Sequence, residues 1–226
     1  PLYSSAASDV YKRQVLSKLE DYLQTEWPEL DVYLTSVTDH YSTASICGPN
    51  SKKILNKLFP NLDLSDENFP HMSFKEDKLE NINCRIMRIS FTGEQSYEIN
   101  IESKYGNSLW KMCIEAGKEF NLTPYGTETM HLLRAEKGFI IVGQDTDGTM
   151  TPSDLQMDWI VSKKKYDLIG KRSLYRSDTI REDRKQLVGL LTDDPKEILE
   201  EGAQIVSDVK SKPIDCLLYT SDAADE

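Results

Sequence analysis

Long apolar runs are missing from this 226-residue chain. None approaches the roughly 20 consecutive apolar residues that a membrane-crossing helix needs, and no signal peptide is visible at the start. Cysteine is scarce too, at 4 residues, so a disulfide scaffold is excluded and no paired metal-ligand spacing exists. The 3 histidines, His40, His71 and His131, are scattered, which argues against a structural zinc site. Positive charge is the minority, with 27 Lys and Arg against 38 Asp and Glu, a net charge of −11. An acidic surface repels phosphate backbones, and neither Lys52-Lys53 nor Lys163-Lys164-Lys165 makes a basic stripe, so nucleic acid is not an expected partner. No Gly-x-Gly-x-x-Gly dinucleotide fingerprint occurs either.

The two ends carry an inverted repeat at the level of DNA. A string encoding Asp9 to Gln14, reverse-complemented and read in another frame, encodes Cys216 to Ser221. Extended outward, Ser5 to Asp9 becomes Ser221 to Asp225. Adapter read-through at both ends of a sequenced fragment leaves such a pattern, so residues 1–14 and 216–226 are expected to be adapter-derived, to pack against nothing and to lack consistent structure. Removing a net +1 from the first end and −3 from the second moves the charge from −11 to −9. Cys47, Cys84 and Cys113 then remain, reading as reduced, mostly buried thiols of a cytoplasmic protein.

What is present reads as α+β. Leu16, Leu19, Leu23 and Trp27 share a helical face, and Pro28 stops that helix. Residues 31–38 and 41–47 alternate as two strands around Thr38-Asp39-His40, and a Gly48-Pro49 turn feeds a short helix. Residues 60–80, rich in Asp and Glu, read as surface loops. The centre of the chain is a hairpin, residues 85–101, in which Phe91-Thr92-Gly93-Glu94 interrupts two alternating runs. A helix over 104–119 follows, its Trp110 face turned inward across the hairpin, and a second helix spans 127–136 and ends at Gly138. Beyond it come a short apolar strand, an Asp145–Pro152 loop, a strand at Trp159-Ile160-Val161 and a charged linker over 177–185. The loop superficially has calcium-loop spacing, but the later glutamate and flanking helices are wrong for one.

The hairpin, with its Thr92-Gly93-Glu94-x-x-x-Glu98 pattern, and the stretch from Leu133-Arg134-Ala135-Glu136-Lys137-Gly138 to Pro152 together resemble the folate-binding aminomethyltransferase family, the glycine-cleavage T-protein and its relatives. Within it, Pro124-Tyr125-Gly126-Thr127-Glu128-Thr129-Met130-His131 is most similar to the branch of heterotetrameric sarcosine oxidase alpha subunits. The similarity runs over roughly 16–189. It implies a mixed sheet with helices on one face, the later part of a folate-binding domain over 15–180. Residues 181–215 would be a linker and the first strand, Gln186 to Leu191, of a truncated C-terminal β-barrel.

The resemblance also implies a site. A pterin presents a ring N–H beside an amino group, and one carboxylate can accept both. In the family the second Glu of the pattern does this, which assigns Glu98; the bland alternative is a half-exposed strand carboxylate. Glu94 in the turn, Tyr97 as a stacking ring and Arg134, reaching the hairpin carboxylates or the folate tail, are the other folate-binding candidates, with a buried structural ion pair as the plain alternative for Arg134. No metal site and no catalytic residue is expected here, because the family's catalytic carboxylate belongs to a segment before Val15. The implied function is capture of the one-carbon unit from sarcosine demethylation as methylenetetrahydrofolate, with tetrahydrofolate and a small amine as ligands, FAD or FMN and NAD in the intact complex only, and the other oxidase subunits as partners. Met130-His131 stands where T-proteins carry Arg-Asp, which argues against a stand-alone glycine-cleavage aminomethyltransferase. Phe139 replaces the cysteine of the iron–sulfur accessory branch.

Overall fold

The computed structural model describes residues 2–194, 196–197, 204–205 and 217–218, with side chains over 12–194 and 196–197. Its centre is a four-stranded sheet of β1 (Tyr41–Cys47), β2 (Ser73–Leu79), β3 (Ile82–Arg88) and β4 (Ser96–Glu102), in the spatial order β1-β4-β3-β2. The α+β class holds, but all three ladders are antiparallel, where a mixed sheet was expected. The reason lies in the connections. β2 and β3 turn directly at Glu80-Asn81, β3 and β4 form the hairpin, and β1 reaches β4 through a long excursion that returns it antiparallel.

Two helices, α2 (Ser51–Leu58) and α3 (Gly106–Gly117), pack on one face of this sheet. Alternation supplies the surface they cover: Ala44 and Ile46 of β1, Tyr97, Ile99 and Ile101 of β4, and Cys84 and Ile86 of β3 are all buried there. Leu55, Phe59, Phe69 and Leu109 close the core from the helices and loops. Phe69 meets Tyr97 with ring centroids 5.9 Å apart, a tilted aromatic pair worth more than its area alone. Arg88 ties the same corner, bonding the Phe69 carbonyl at 2.6 Å and Asp66 at 2.7 Å.

Several sequence expectations shift. β2 lies inside a stretch read as loops, because as an edge strand it carries Glu76 and Lys78 outward and shows half-exposed alternation instead of an apolar run. Of residues 31–38, expected as a strand, 31–37 pair with no strand among the described residues and Thr38 opens a 3-10 turn. Trp159-Ile160-Val161 is a short 3-10 turn at Asp158–Ile160, and residues 139–141, where a strand was expected, run irregularly into a turn at 142–145. Residues 186–191 run without strand pairing, so the first barrel strand is not formed there; most of 195–215 lies outside the described residues.

The terminal stretches are not structureless where they are described. Helix α1 spans Leu2–Thr25, and Lys12 donates to Thr38 Oγ1 at 3.3 Å. No Pro or Gly interrupts Leu2–Thr25, so a helix nucleated at the leucine-bearing end propagates through it. At the other end β6 (Leu217–Leu218) pairs antiparallel with β5 (Gln204–Ile205).

Candidate functional site

The second face of the sheet is polar. Cross-strand pairs place Thr43 beside Asn100, Ser45 beside Glu98 and Cys47 beside Ser96, and paired residues share a face. Thr43 Oγ1 donates to Asn100 Oδ1 at 2.7 Å, and Ser45 and Ser96 share a hydroxyl contact of 3.3 Å. Glu98 lies in the middle of this face, with Met87 as its β3 neighbour. It is half-buried, and no hydrogen bond reaches its carboxylate among the described residues. Burial pushes its pKa up, since a carboxylate held away from water favours the neutral form.

Tyr125 borders this face from the loop before helix α4 (Thr127–Glu136). Cys47 Sγ donates to its phenol oxygen at 3.3 Å. Burial first, and then the Cys47 contact, push the phenol up to about 12, with the nearby Glu98 charge acting in the same direction. Tyr125, Ser45 and Cys47 also line a cavity of about 430 Å³ that runs past the outer edge of β1 toward α3. Sequence reasoning named none of the three as a candidate. β1 and β4 are about 50 residues apart, so nothing local announces that Ser45 stands opposite Glu98.

The other expected site residues are placed apart. Tyr97 is fully buried on the opposite side of β4 from Glu98, in the core with Phe69. A one-residue step along a strand reverses the face, so the structure does not bring Tyr97 to Glu98. Glu94 is exposed in the hairpin loop. Gly93 beside it has φ +80, and a Cβ there would collide with the Lys137 side chain, so the hairpin and the end of α4 meet at this glycine. Arg134 is 4% exposed and does not bond the hairpin carboxylates. It pairs with Asp145 and donates to the Phe139 carbonyl at 3.1 Å, while Asp145 accepts the Ile141 amide at 2.7 Å. This buried pair pins the turn after Gly138 onto α4.

A second clamp follows. Asp154, 2% exposed, accepts the Thr151 amide and hydroxyl at 2.7 and 2.9 Å and receives a bidentate contact from Arg184, both bonds 2.6 Å. Leu187 N–H donates to the Asp154 carbonyl at 2.8 Å, so residues 184–187 lie on the 149–157 loop. The Arg184 guanidinium holds the Asp154 carboxyl far below the usual carboxylate range. The sequence did hold a signal for half of this: Thr151-x-x-Asp154 has capping-box spacing. In the Asp145–Pro152 loop, Asp147 accepts the Thr149 amide and hydroxyl as a local turn. Among the described residues, no three His, Cys, Asp or Glu gather as a metal-ligand group, and no helix is long and apolar enough to cross a membrane.

Residues 3–165 match the family described as GCVT N-terminal domain. The chain belongs to that family. Among curated relatives of this GCVT domain, sarcosine oxidase subunit alpha of Corynebacterium sp. (strain P-1) is 56% identical over 195 residues, 86% of this chain and 20% of the relative. Its counterpart in Rhizobium meliloti (strain 1021) is 38% identical over 199 residues, 87% of this chain and 20% of the relative. An aminomethyltransferase of Thermoanaerobacter sp. (strain X514) is 33% identical over 147 residues, 65% of this chain and 39% of the relative. The GCVT chain therefore spans about a fifth of the length of the oxidase subunits that it matches.

Proposed function

We propose that this chain is the tetrahydrofolate-binding part of a sarcosine oxidase alpha-type subunit, and that Glu98 receives the pterin. The observation that carries the reading is the Glu98 carboxylate itself: half-buried, on the polar sheet face, and without a hydrogen-bond partner among the described residues. Such a group fits a ligand that offers two adjacent N–H donors. The strand fixes its direction, whereas Glu94 is exposed in a loop. Glu94 remains a candidate for the outer end of the ligand. Arg134 acts in this reading as a positioning residue for the loop after α4, and Tyr97 as support beneath the strand. The ligand would supply a nucleophilic ring nitrogen, and the residues named here would bind and orient it.

The higher identity to oxidase subunits, 56% against 33% for an aminomethyltransferase, supports the oxidase branch over a glycine-cleavage enzyme. In that reading residues 15–180 belong to the folate domain and 181–215 lead into a further domain, with 1–14 and 216–226 adapter-derived. FAD or FMN and NAD belong to the intact assembly with its other subunits. The free thiols Cys47, Cys84 and Cys113 support a cytoplasmic setting.

Calorimetric titration of tetrahydrofolate into the full-length protein tests the site. Glu98→Gln places a donor against the ring donors, a mispairing of about 1–3 kcal/mol, so affinity should fall by roughly one to two decades. Unchanged affinity in Glu98→Gln together with a loss in Glu94→Gln would transfer the role to the turn.

A further inference from the structure

Three aromatic side chains of one short stretch stand almost free of the protein. Trp159 is 78% exposed, Tyr166 93% and Tyr175 72%, and Ile169 among them is exposed as well. Burying such side chains is favourable, so several displayed together mark a face that something else covers. The same stretch, residues 159–176, holds six lysines and arginines against one acid, Asp167, a net +5 within a chain of −11. None of the six cations is in an ion pair among the described residues, whereas Arg181 and Arg184, just beyond, are each paired with aspartates. The stretch is also closed at its base. Asp154 before it and Asp178 after it are drawn to the same Arg184 guanidinium, at 2.6 and 3.1 Å. Inside it, Lys171 opens the short helix α5 (Lys171–Leu174), bonds the Tyr166 carbonyl and stands 4.9 Å from the centre of that ring. Thr179 donates its hydroxyl to the Ser173 and Arg176 carbonyls at 2.7 and 3.0 Å. The loop is therefore preformed, and a partner that binds it has less chain to order.

Resting on the oxidase reading above, we infer that residues 159–176 are the surface on which another subunit of the assembly docks, through an acidic face with recesses for Trp159, Tyr166 and Tyr175. Exposed Trp, Tyr and Arg are the residue types that carry most of the energy at protein–protein interfaces. The local excess of positive charge selects an acidic partner and steers its approach. Extended polyanions, nucleic acid and anionic bilayers, fit the loop less well. They would meet the rest of the chain too, and outside this stretch its charge is strongly negative. A folded partner touches the loop alone, and screening over about 8 Å at physiological salt confines the attraction to it.

The test uses the full-length protein, alone and assembled with the other oxidase subunits. Lysine acetylation read by mass spectrometry should modify Lys163, Lys164 and Lys165 in the chain alone and spare them in the assembly. Replacing all three by Glu should weaken assembly by about tenfold at low salt, an effect that shrinks as salt rises; replacing all three by Arg should preserve it. Trp159→Ala combined with Tyr166→Ala should weaken assembly by about thirtyfold at any salt, the size of one dominant interface residue. All these positions are exposed, so the denaturant midpoint of each variant should match that of the wild type. Equal acetylation of the three lysines in the chain alone and in the assembly, or normal assembly by both the Glu and the Ala variants, overturns the docking surface and leaves the oxidase reading standing. Protection already present in the full-length chain alone means that a segment of the same chain or a second copy covers the loop, and overturns it as well. So does binding of the loop to duplex DNA or phosphatidylglycerol vesicles at physiological salt without protection in the assembly. Failure of the wild-type chain to assemble with those subunits at all overturns the oxidase reading and the docking surface with it.

Discussion

The residues up to the end of helix α3 and those after helix α4 are held by different physics. From Ala44 to Cys113 the chain is organised by a continuous apolar core that includes Phe59, Phe69, Tyr97, Ile99 and Leu109, each almost fully buried. After α4, the buried positions are polar or charged instead: Thr151, Asp154 and the Arg134 that opens the series from within the helix. The first region is a sheet with helices on it. The second is a series of turns stapled down by two ion pairs, Arg134–Asp145 and Asp154–Arg184. An apolar core is non-directional and tolerates substitution in proportion to volume, whereas a buried ion pair fails when either partner is removed.

That contrast governs what can be broken. Phe69→Ala removes a fully buried ring from the first region and leaves a cavity beside Tyr97. It should cost about 3–5 kcal/mol of global stability, read as a lower denaturant midpoint for the cooperative transition. Asp145→Asn leaves the buried Arg134 guanidinium without its counter-charge. The loss should be about 3 kcal/mol, confined largely to residues 134–145 and visible as faster hydrogen exchange at the Ile141 amide, which Asp145 accepts. A drop in the global midpoint equal to that of Phe69→Ala would show that the two regions unfold as one. Arg184→Ala should act more locally still. The Leu187 amide and protease sites over 178–187 should become accessible while the sheet remains intact, because among the described residues Arg184 bridges Asp154, Asp178 and the Thr149 carbonyl.

The same contrast explains which parts were legible beforehand. Helix α4 was readable to its ends, and α3 to within about two residues, because amphipathic spacing and a terminal glycine are local signals. The face of α3 turned inward, however, is that of Leu109 and Cys113, and Trp110, expected there, is half-exposed. The hairpin was readable from the glycine at Gly93, whose contact with Lys137 also joins the two motifs that carried the family resemblance. β2 was hidden because an edge strand spends its outward positions on charge. Residues 31–37 have strand-like alternation and yet no strand partner, which shows that β propensity describes a surface to be paired and not the pairing. The Asp154–Arg184 clamp spans 30 residues, and nothing in either residue's neighbourhood specifies the other. At the candidate site, Glu98 was proposed only through the resemblance, while its neighbour Ser45 depends on the β1–β4 register and Tyr125 on a loop contact with Cys47.

Acid separates the two regions by the smallest perturbation. Glu98 has its pKa raised by burial, so its ionised form begins to disappear at a higher pH than an ordinary glutamate, whose value is about 4.3. Asp154 has its pKa lowered by Arg184 and the Thr151 donors. For Asp154, stability is fully present above the unfolded aspartate value of about 3.9 and is lost progressively as the pH falls below it toward the much lower folded value. For Glu98 the sign reverses: the folded state favours the protonated carboxyl, so acid does not destabilise the sheet through this residue, but it removes the acceptor that the proposed pterin contact requires. Titrated downward from neutral pH, tetrahydrofolate binding should therefore weaken first, starting above the normal glutamate range, while exchange protection at the Leu187 amide persists to lower pH. Glu98→Gln should abolish the upper transition in binding and leave the lower transition at Leu187 in place. Loss of Leu187 protection in step with ligand release would mean that the clamp and the sheet face form one cooperative unit, and that the division between apolar and ion-paired regions does not extend to their dynamics.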